Sequence, residues 1–327
     1  MEYVNFGSAG VKVSPIALGL GFRGQGSAEE AQRVIEHAID SGINLIDCAN
    51  VYGLGDDLRV RGSSEKVLAR VLKTRRNDVV LTSKVHSPMG DGPNDRGSSR
   101  YHIMRQVENS LARLGTDHID VYLLHGYDTD TPLEETLRAL DDLVSQGKVL
   151  YVGCCNFEAW QVCKALWTQD LLNADSLITV QNPYNLLNRD LEGEMFGLLS
   201  DQGLGAMAYS PLAVGLLSGG YAPGEPPPPN SPWGGGKREG ALASVLSPRV
   251  MAVVDGVRDV ARERGKTMVQ VAMNWVLSHP EITVAISGSD TIDQIDDNLG
   301  ALGWQLSAEE IETLDQVSSG LELAEEL

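Results

Sequence analysis

Short apolar runs alternate with amphipathic segments along most of the chain from Val13 onward. The runs are rich in leucine and β-branched residues and are bounded by polar residues, which is typical of buried parallel strands. We predict strands near residues 15–19, 43–47, 79–84, 119–124, 149–154, 178–181, 204–208 and 283–286. The intervening helices are predicted near 28–41, 64–73, 99–114, 133–146, 157–169, 190–202, 248–264 with 267–278, and 291–300. Eight such pairs predict an α/β fold, a (β/α)8 TIM barrel, as a single domain over residues 1–327.

The ends of several predicted helices carry local signals. The pattern of a capping box occurs at two predicted helix starts, Ser27 with Glu30 and Thr131 with Glu134. At the second start, Pro132 stands at the first helical position, where proline is favoured. Four glycines follow helical segments just before the next strand, as expected of glycine C-caps, namely Gly42, Gly115, Gly147 and Gly203. These signals support the boundaries drawn from hydrophobic periodicity.

One long segment, residues 212–247, shows no periodicity and contains a run of prolines and a run of glycines. Long irregular loops inside compact domains are usually functional or disordered. Because this loop follows the seventh predicted strand, it is expected to hang over the rim where barrel active sites are built. We therefore interpret it as a lid.

Composition narrows the class of protein. The 327 residues carry a formal charge of −19, which disfavours nucleic acid and anionic membranes as partners. No apolar stretch approaches the roughly 20 residues of a membrane span, and the N-terminus does not resemble a signal peptide. We predict a cytoplasmic protein without membrane contact.

The four cysteines do not show the paired spacing of a zinc site or a disulfide framework, so we predict no metal. Cys48, Cys154, Cys155 and Cys163 are interpreted as small buried apolar residues. Adjacent Cys154 and Cys155 are expected on opposite faces of one strand.

Four chemically active residues stand at or just beyond the ends of predicted strands. Asp47, Lys84 and His125 end or follow the second, third and fourth strands, and Tyr52 lies five positions after Asp47. The carboxyl ends of parallel strands share one face of a barrel, so these side chains are expected to converge there. A carboxylate, a phenol, an ammonium and an imidazole together are suited to acid–base chemistry.

A competing motif lies at the first predicted strand. Residues 19–24 read GLGFRG, the glycine pattern of a dinucleotide-binding turn, and Asp47 falls where a ribose-binding acid is expected. In that fold the turn leads directly into the helix, whereas here the capping signal comes later, at Ser27. The doubly wound alternative also assigns no common function to Tyr52, Lys84 and His125.

Several segments resemble the aldo-keto reductase family over nearly the whole chain. They are DCANVYG with Asp47 and Tyr52, LTSKV with Lys84, DVYLLH with His125, GCCNF, VQNPYNLLNR, AYSPLAVGLLSG and SGSDTIDQIDDNLGA. The resemblance implies a (β/α)8 barrel and hydride transfer between a nicotinamide cofactor, NAD(P)(H), and a small-molecule carbonyl or alcohol such as an aldehyde, ketone or sugar.

Asp47, Tyr52, Lys84 and His125 carry the functional groups that carbonyl reduction requires. Reduction of a carbonyl builds negative charge on oxygen, which an acid must neutralise. Tyr52 is the natural proton donor, and a nearby Lys84 is expected to lower its pKa from about 10. Asp47 can hold Lys84, and His125 can orient the substrate oxygen.

The resemblance also implies a set of cofactor-binding residues. Asn156 and Gln181 are expected at the nicotinamide amide, Tyr209 on its ring, and Ser210, Leu212, Gly215, Leu216 and Ser218 along the pyrophosphate. The full set is Gly21, Phe22, Asn156, Gln181, Tyr209, Ser210, Leu212, Gly215, Leu216, Ser218, Ser287, Gly288, Ser289, Asp290, Gln294, Asp297 and Asn298.

Two positions depart from the family pattern. Cys155 stands where a serine is common, which removes one hydrogen bond. The family commonly holds a 2′-phosphate with a lysine or arginine near SGSDTIDQIDDN, but neither occurs from Thr267 to Leu327. This favours NAD over NADP, although Lys237 and Arg238 in the long loop keep NADP open.

The substrate pocket is expected near His86 and Gly126. Gly126 follows His125 where many relatives carry a bulky aromatic residue, so a larger substrate is expected to fit. Arg59 and Arg61 either steer an anionic substrate or form a solvated loop. An alternative function is a cofactor-binding regulatory subunit that senses redox state with little turnover.

Overall fold

The computed structural model describes residues 1–22, 24–229, 231–234, 238 and 240–321. A short antiparallel hairpin comes first, β1 (Val4–Asn5) and β2 (Lys12–Val13). The next eight strands are β3 (Ile16–Gly19), β4 (Leu45–Asp47), β5 (Val80–Val85), β6 (Ile119–Leu124), β7 (Val149–Cys155), β8 (Leu177–Pro183), β9 (Gly205–Tyr209) and β10 (Val284–Ser287). They pair in parallel and in chain order, and β10 closes on β3. The predicted (β/α)8 TIM barrel is confirmed, and a closed barrel excludes the doubly wound alternative.

Helices surround the barrel. They are α1 (Ala28–Asp40), α2 (Ser63–Arg75), α3 (Arg100–Leu114), α4 (Leu133–Ser145), α5 (Ala159–Leu172), α6 (Met195–Gln202), α7 (Leu242–Val245), α8 (Pro248–Arg264), α9 (Met268–Leu277), α10 (Ile292–Leu299) and α11 (Ala308–Ser318). Every predicted strand and helix has a counterpart within a few residues, except that α6 begins at Met195 after a 3-10 turn, Asp190–Glu192. The sequence pattern missed the N-terminal hairpin, α7 and α11.

The hairpin plugs one end of the barrel. Phe6 and Val13 are fully buried in a cluster with the inward-facing Ala17, Leu45 and Ile178. At Gly7 a side chain is impossible, because a Cβ atom would lie 2.5 Å from the backbone of Ile178 and Gly205, and φ is +59°. The plug therefore seals the barrel at the end opposite to the carboxyl ends of its strands.

Two apolar layers result from the alternation of side chains along the strands. Cys155 joins the inner layer of the barrel, whereas Cys154 belongs to the outer layer between strands and helices. The prediction that these two cysteines face opposite sides is confirmed. Cys48 is also buried, but Cys163 is exposed on α5, so the prediction of burial was wrong there.

Local capping signals have mixed outcomes. The Ser27 side chain accepts a hydrogen bond from the backbone N–H of Glu30, as predicted. Thr131 does not cap α4. Its hydroxyl donates instead to Asp128 at 2.8 Å, and Pro132 occupies the N-cap position. Because α4 begins at Leu133, Thr131 lies one residue before the N-cap position and is out of register for capping.

The segment predicted as irregular, residues 212–247, contains a 3-10 turn, Leu216–Ser218, and the short helix α7. Trp233 anchors it, with 1% of its surface exposed and its indole N–H donating to the Val214 carbonyl oxygen at 3.0 Å. Arg238 lies over the Trp233 ring. Lys237, the other candidate cation of this loop, lies outside the described residues.

Candidate active site

Four side chains meet at the carboxyl end of the barrel. Asp47 ends β4 beside Thr82 of β5, and Lys84 lies two residues further along β5. The Lys84 ammonium donates to both Asp47 carboxylate oxygens, at 2.8 and 2.7 Å, and its Nζ lies 3.2 Å from the Tyr52 hydroxyl. The ring of Tyr52 meets that of His125 edge-on, with centroids 5.8 Å apart. The structure thus brings together all four residues predicted from the sequence.

Asp47 is the centre of this network. Besides Lys84, it accepts hydrogen bonds at Oδ1 from the Thr82 hydroxyl at 2.6 Å and from the Gln181 amide at 2.9 Å. Lys84 is fully buried and also donates to the Cys48 carbonyl oxygen at 2.9 Å. Charges buried without such partners are strongly destabilising, so each contact contributes to holding the pair in place.

Electrostatics keep Lys84 charged. Burial favours the neutral amine, but the adjacent Asp47 carboxylate outweighs it, so the pKa of Lys84 is raised. The ammonium beside Tyr52 is therefore permanent at ordinary pH.

The phenol itself behaves differently from the sequence-based expectation. Burial raises the pKa of Tyr52 to about 12, since the lowering by Lys84 is opposed by the Asp47 carboxylate. The expectation that Lys84 brings the net pKa of Tyr52 below its usual value was wrong. Tyr52 remains a neutral phenol, the protonation state that a proton donor requires.

His125 is neutral as well. Burial, with smaller effects of Lys84 and His86, lowers its pKa to about 3. Its Nδ1 atom lies 3.3 Å from the Ser87 hydroxyl oxygen. A neutral imidazole has one N–H, so His125 is able to donate one hydrogen bond without adding positive charge to the site.

A cavity of about 740 Å³ extends from these residues across the rim of the barrel. It is lined by Asp47, Tyr52 and His125, and by nearly all of the predicted cofactor-binding residues, namely Gly21, Phe22, Asn156, Gln181, Tyr209, Ser210, Leu212, Gly215, Ser218, Ser287, Gly288, Ser289, Asp290, Gln294, Asp297 and Asn298. Residues almost 280 positions apart in sequence thus share one wall. The cavity has the size of a small-molecule site.

Three predicted residues do not line this cavity, and Lys84 lies behind Asp47. Leu216 is buried in the outer apolar core. His86 and Gly126 lie side by side at the rim, where a Cβ atom added to Gly126 would be 3.4 Å from the His86 ring. Burial lowers the pKa of His86. The two residues adjoin the site through His125 but stand outside the main cavity.

Amide and hydroxyl groups form the middle of the cavity wall. Asn156 donates to the His125 carbonyl oxygen at 2.8 Å and accepts from the Tyr209 hydroxyl at 2.9 Å. Further along, the buried Asn298 amide donates to the hydroxyls of Ser287 and Ser289, which also contact each other. These bonds fix the orientation of polar groups that face the cavity.

Backbone strain concentrates at the same place. Seven non-glycine residues in the described part of the chain have positive φ, and four of them line the cavity: Phe22, Asn156, Ser210 and Val214. Val214, at φ +55°, is β-branched and is a marked exception to the usual preference. Strained conformations of this kind cluster at ligand sites, where surrounding contacts impose them.

Sequence reasoning missed several residues of the cavity wall. Tyr221, Pro228, Ser231 and Pro232 come from the long loop, and Val269 lies at the start of α9. The position of the loop after the seventh barrel strand was the available signal, but nothing in its sequence specified which residues turn inward. Gly19, Pro211, Val214 and Ile286 complete the additional lining.

The described residues contain no helix long and apolar enough to cross a membrane, and no cluster of three or more metal-ligating side chains. The cytoplasmic location stays a prediction.

Comparisons with known proteins agree with this geometry. The model of the "Aldo/keto reductase family" matches residues 15–319. The chain is 35% identical to "Uncharacterized oxidoreductase YrpG" of Bacillus subtilis (strain 168), over 98% of this chain and 97% of that protein. It is 34% identical to a "Probable voltage-gated potassium channel subunit beta" of Arabidopsis thaliana, over 92% and 91%. It is 32% identical to "L-glyceraldehyde 3-phosphate reductase" of Escherichia coli (strain K12), over 97% and 92%.

The chain therefore belongs to the aldo/keto reductase family. This family uses nicotinamide cofactors and acts on small carbonyl compounds, so the predicted family and the general class of oxidoreductase are confirmed.

Proposed function

We propose that this protein is an NAD(P)-dependent oxidoreductase that transfers a hydride between nicotinamide and a carbonyl or alcohol, with Tyr52 as the general acid and base. One observation carries the proposal. The Tyr52 hydroxyl lies 3.2 Å from the fully buried Lys84 ammonium, at one end of a cavity lined by amides and hydroxyls.

Each residue has a separate role in carbonyl reduction, which follows from its functional group. The bound cofactor supplies the hydride. Tyr52 gives its phenolic proton to the carbonyl oxygen, and Lys84 stabilises the phenolate that remains. Asp47 holds Lys84 in place, and the neutral His125 donates a hydrogen bond that orients the oxygen. In the oxidative direction Tyr52 takes the proton back.

The cavity fits a dinucleotide in both size and chemistry. Its amides, Asn156 and Gln181, suit the carboxamide of nicotinamide, and the Tyr209 ring offers a flat apolar face. Asn156 already bonds Tyr209, so cofactor binding is proposed to exchange that bond for one to the carboxamide.

Replacement of Tyr52 tests the proposal. In Tyr52→Phe we expect kcat for reduction of an aldehyde panel to fall at least about 100-fold, since general acid catalysis contributes that much or more. The dissociation constant for the reduced cofactor, measured by fluorescence, should change little. Tyr127→Phe is the matched control, because this rim tyrosine packs on Phe157 and does not line the cavity. A Tyr52→Phe variant with wild-type turnover would contradict the assigned role.

We further propose that NAD is preferred over NADP. The far end of the cavity carries two carboxylates, Asp290 and Asp297, and the described residues that line the cavity include no lysine or arginine. Asp290 accepts a hydrogen bond from the Gly24 backbone N–H at 2.9 Å, so its charge is fixed near this end. Carboxylates suit ribose hydroxyls and repel a 2′-phosphate.

The cofactor preference is measured as the ratio of kcat/KM with NADH to that with NADPH. We expect a ratio well above one in the wild type. In Asp290→Asn, loss of the charge should raise kcat/KM for NADPH about 5- to 10-fold and leave that for NADH within about 2-fold. Asp293→Asn removes an exposed carboxylate of α10 outside the cavity and serves as the control. A wild type that prefers NADPH refutes the proposal.

The substrate side is proposed to be open at Gly126. Gly126 carries no side chain, whereas a Cβ atom there would already contact the His86 ring at 3.4 Å, so a larger residue is proposed to obstruct a polycyclic ketone or a sugar at this part of the rim. In Gly126→Trp, large substrates should lose kcat/KM relative to small aldehydes in the same panel. An unchanged ranking of the substrates counts against this assignment.

A second function has support in the plant relative named as a potassium channel subunit beta. The alternative proposed for this chain is a regulatory subunit that binds the cofactor and senses redox state with little turnover. Tight cofactor binding without turnover of any aldehyde, ketone or sugar would favour the sensor and reject the enzyme. The complete group of Asp47, Tyr52, Lys84 and His125 favours the enzyme.

A further inference from the structure

A buried ion pair lies next to strand β5, outside the cavity. The Glu65 carboxylate, in the first turn of α2, is fully buried, and the side chain of Arg113 on α3 is 17% exposed. Arg113 Nε donates to Glu65 Oε2 at 2.5 Å, and the Ser83 hydroxyl donates to Glu65 Oε1 at 2.8 Å. Glu65, Ser83 and Arg113 do not line the cavity, so none of them touches the reacting groups.

Ser83 connects this ion pair to Lys84. The two residues are adjacent in β5, and side chains alternate along a strand, so Lys84 points into the barrel while Ser83 points outward to α2. The hydrogen bond from Ser83 to Glu65 therefore ties the backbone that carries Lys84 to the start of α2.

The start of α2 in turn holds Tyr52. The Tyr52 carbonyl oxygen accepts from the backbone N–H of Gly62 at 3.0 Å and from that of Ser64 at 3.4 Å. N–H groups in the first turn of a helix have no partner within the helix, and this carbonyl supplies one. Gly62 also packs directly on Arg113, since a Cβ atom added to Gly62 would lie 2.7 Å from Arg113 Cδ. Arg113 thus supports the segment that carries Tyr52.

These contacts link Tyr52 and Lys84 by a second route, besides the direct 3.2 Å contact of the Tyr52 hydroxyl with Lys84 Nζ. A buried ion pair adds little net stability, because desolvation offsets the attraction, but its directional bonds can fix the groups that it joins. We propose that Glu65, paired with Arg113, is a positioning residue that holds the Tyr52 hydroxyl beside the Lys84 ammonium. This inference rests on the proposed function, in which Tyr52 transfers the proton.

Replacement of Glu65 tests the positioning. In Glu65→Gln the amide keeps the volume and still accepts from Ser83, but the charge that binds Arg113 is lost. In a crystal structure of this variant we expect the distance between Lys84 Nζ and the Tyr52 hydroxyl, 3.2 Å in the wild type, to be clearly longer. The single-turnover rate of carbonyl reduction should fall about 10- to 100-fold, the effect of misplacing a reacting group by about 1 Å. KM and the dissociation constant of the reduced cofactor should change little.

Two serine variants separate positioning from a general loss of stability. Ser83→Ala removes the link between Glu65 and β5 but leaves the ion pair intact, so the rate should fall about 3- to 10-fold, the effect of losing one hydrogen bond. Ser110→Ala is the matched control. It removes the hydroxyl that accepts from Arg113 at 3.1 Å, on α3 itself and outside the route to Tyr52. Both serines are fully buried, and only Ser83→Ala should slow the reaction.

A longer distance between Lys84 and Tyr52 in Glu65→Gln supports the proposal, together with slower reduction in Ser83→Ala and a wild-type rate in Ser110→Ala. An unchanged distance overturns it, and so does an equal loss of rate in the two serine variants. If Glu65→Gln does not fold, Ser83→Ala is used for the same two measurements. The crystal structures require no turnover. A wild type that reduces no carbonyl therefore rejects the proposed function, while the distance between Lys84 and Tyr52 still decides the positioning.

Discussion

The pKa of Tyr52 depends on the charged groups next to it and on its burial. Its hydroxyl is close enough to Lys84 for the ammonium to favour the phenolate, yet burial and the Asp47 carboxylate leave its pKa at about 12. The phenol is therefore a donor held beside a permanent positive charge. That charge acts on the alkoxide and phenolate only as they form, which is where electrostatic stabilisation accelerates a reaction.

The pKa values of Tyr52 and His125 predict the pH profile of carbonyl reduction. The proton donor Tyr52 is present below about pH 12, and the neutral His125 is present above about pH 3. Neither group titrates in between, so the rate of the chemical step should be flat from about pH 5 to 9. Single-turnover kinetics with a fixed aldehyde measure this rate without the contribution of product release.

A break in that profile near neutral pH would contradict the assignment. Tyr52→Phe is the reference, since any residual pH dependence in that variant belongs to other groups. His86, whose pKa is lowered by burial, lies close enough to His125 to be checked with His86→Gln.

At the scale of elements, strand β7 depends on a glycine. A Cβ atom at Gly153 would lie 2.6 Å from the Leu123 side chain and 2.7 Å from Thr179. The pairing of β7 with β8 also shifts register between Val152 and Gly153. The neighbouring strands therefore approach closely only because position 153 has no side chain.

We expect Gly153→Ala to lower the free energy of unfolding by about 1–3 kcal/mol, the usual cost of overpacking a core. Gly197→Ala is the matched control. It lies within α6 with nothing within 4 Å of the added Cβ, so it should be neutral or stabilising by up to about 1 kcal/mol. Urea unfolding of the three proteins measures both effects. Equal stability of Gly153→Ala and the wild type would show that the strands adapt.

Some helix boundaries are predictable from neighbouring residues alone, and others are not. Capping at Ser27 and the left-handed glycines at 115 and 203 were predictable, because each depends on residues within one helical turn. The outcome at Thr131 was not predictable, because the helix begins one residue later than the local pattern indicates and Pro132 takes the N-cap position. The hairpin plug and α11 were missed because their elements are short or lie beyond the repeating pattern.

At the scale of the whole molecule, barrel closure creates the site. Pairing of β10 with β3 brings Ser287 next to Leu18, and with it the segment around Asp290 next to Gly24. The cavity is thus continuous from Tyr52 to Asn298. Sequence order predicted this rim, because consecutive parallel strands put all of their carboxyl ends on one side.

The amino-acid sequence alone determined the barrel class, the strand order, the group of Tyr52 with Asp47, Lys84 and His125, and most of the cavity wall. These follow from periodicity, from residue type and from family motifs, all of which are properties of the chain. The tertiary structure decided the pKa of Tyr52, the contribution of Tyr221 and Ser231 to the cavity, and the exposure of Cys163 on α5. Desolvation and exposure depend on atoms from distant segments, and no local pattern encodes how closely those segments approach.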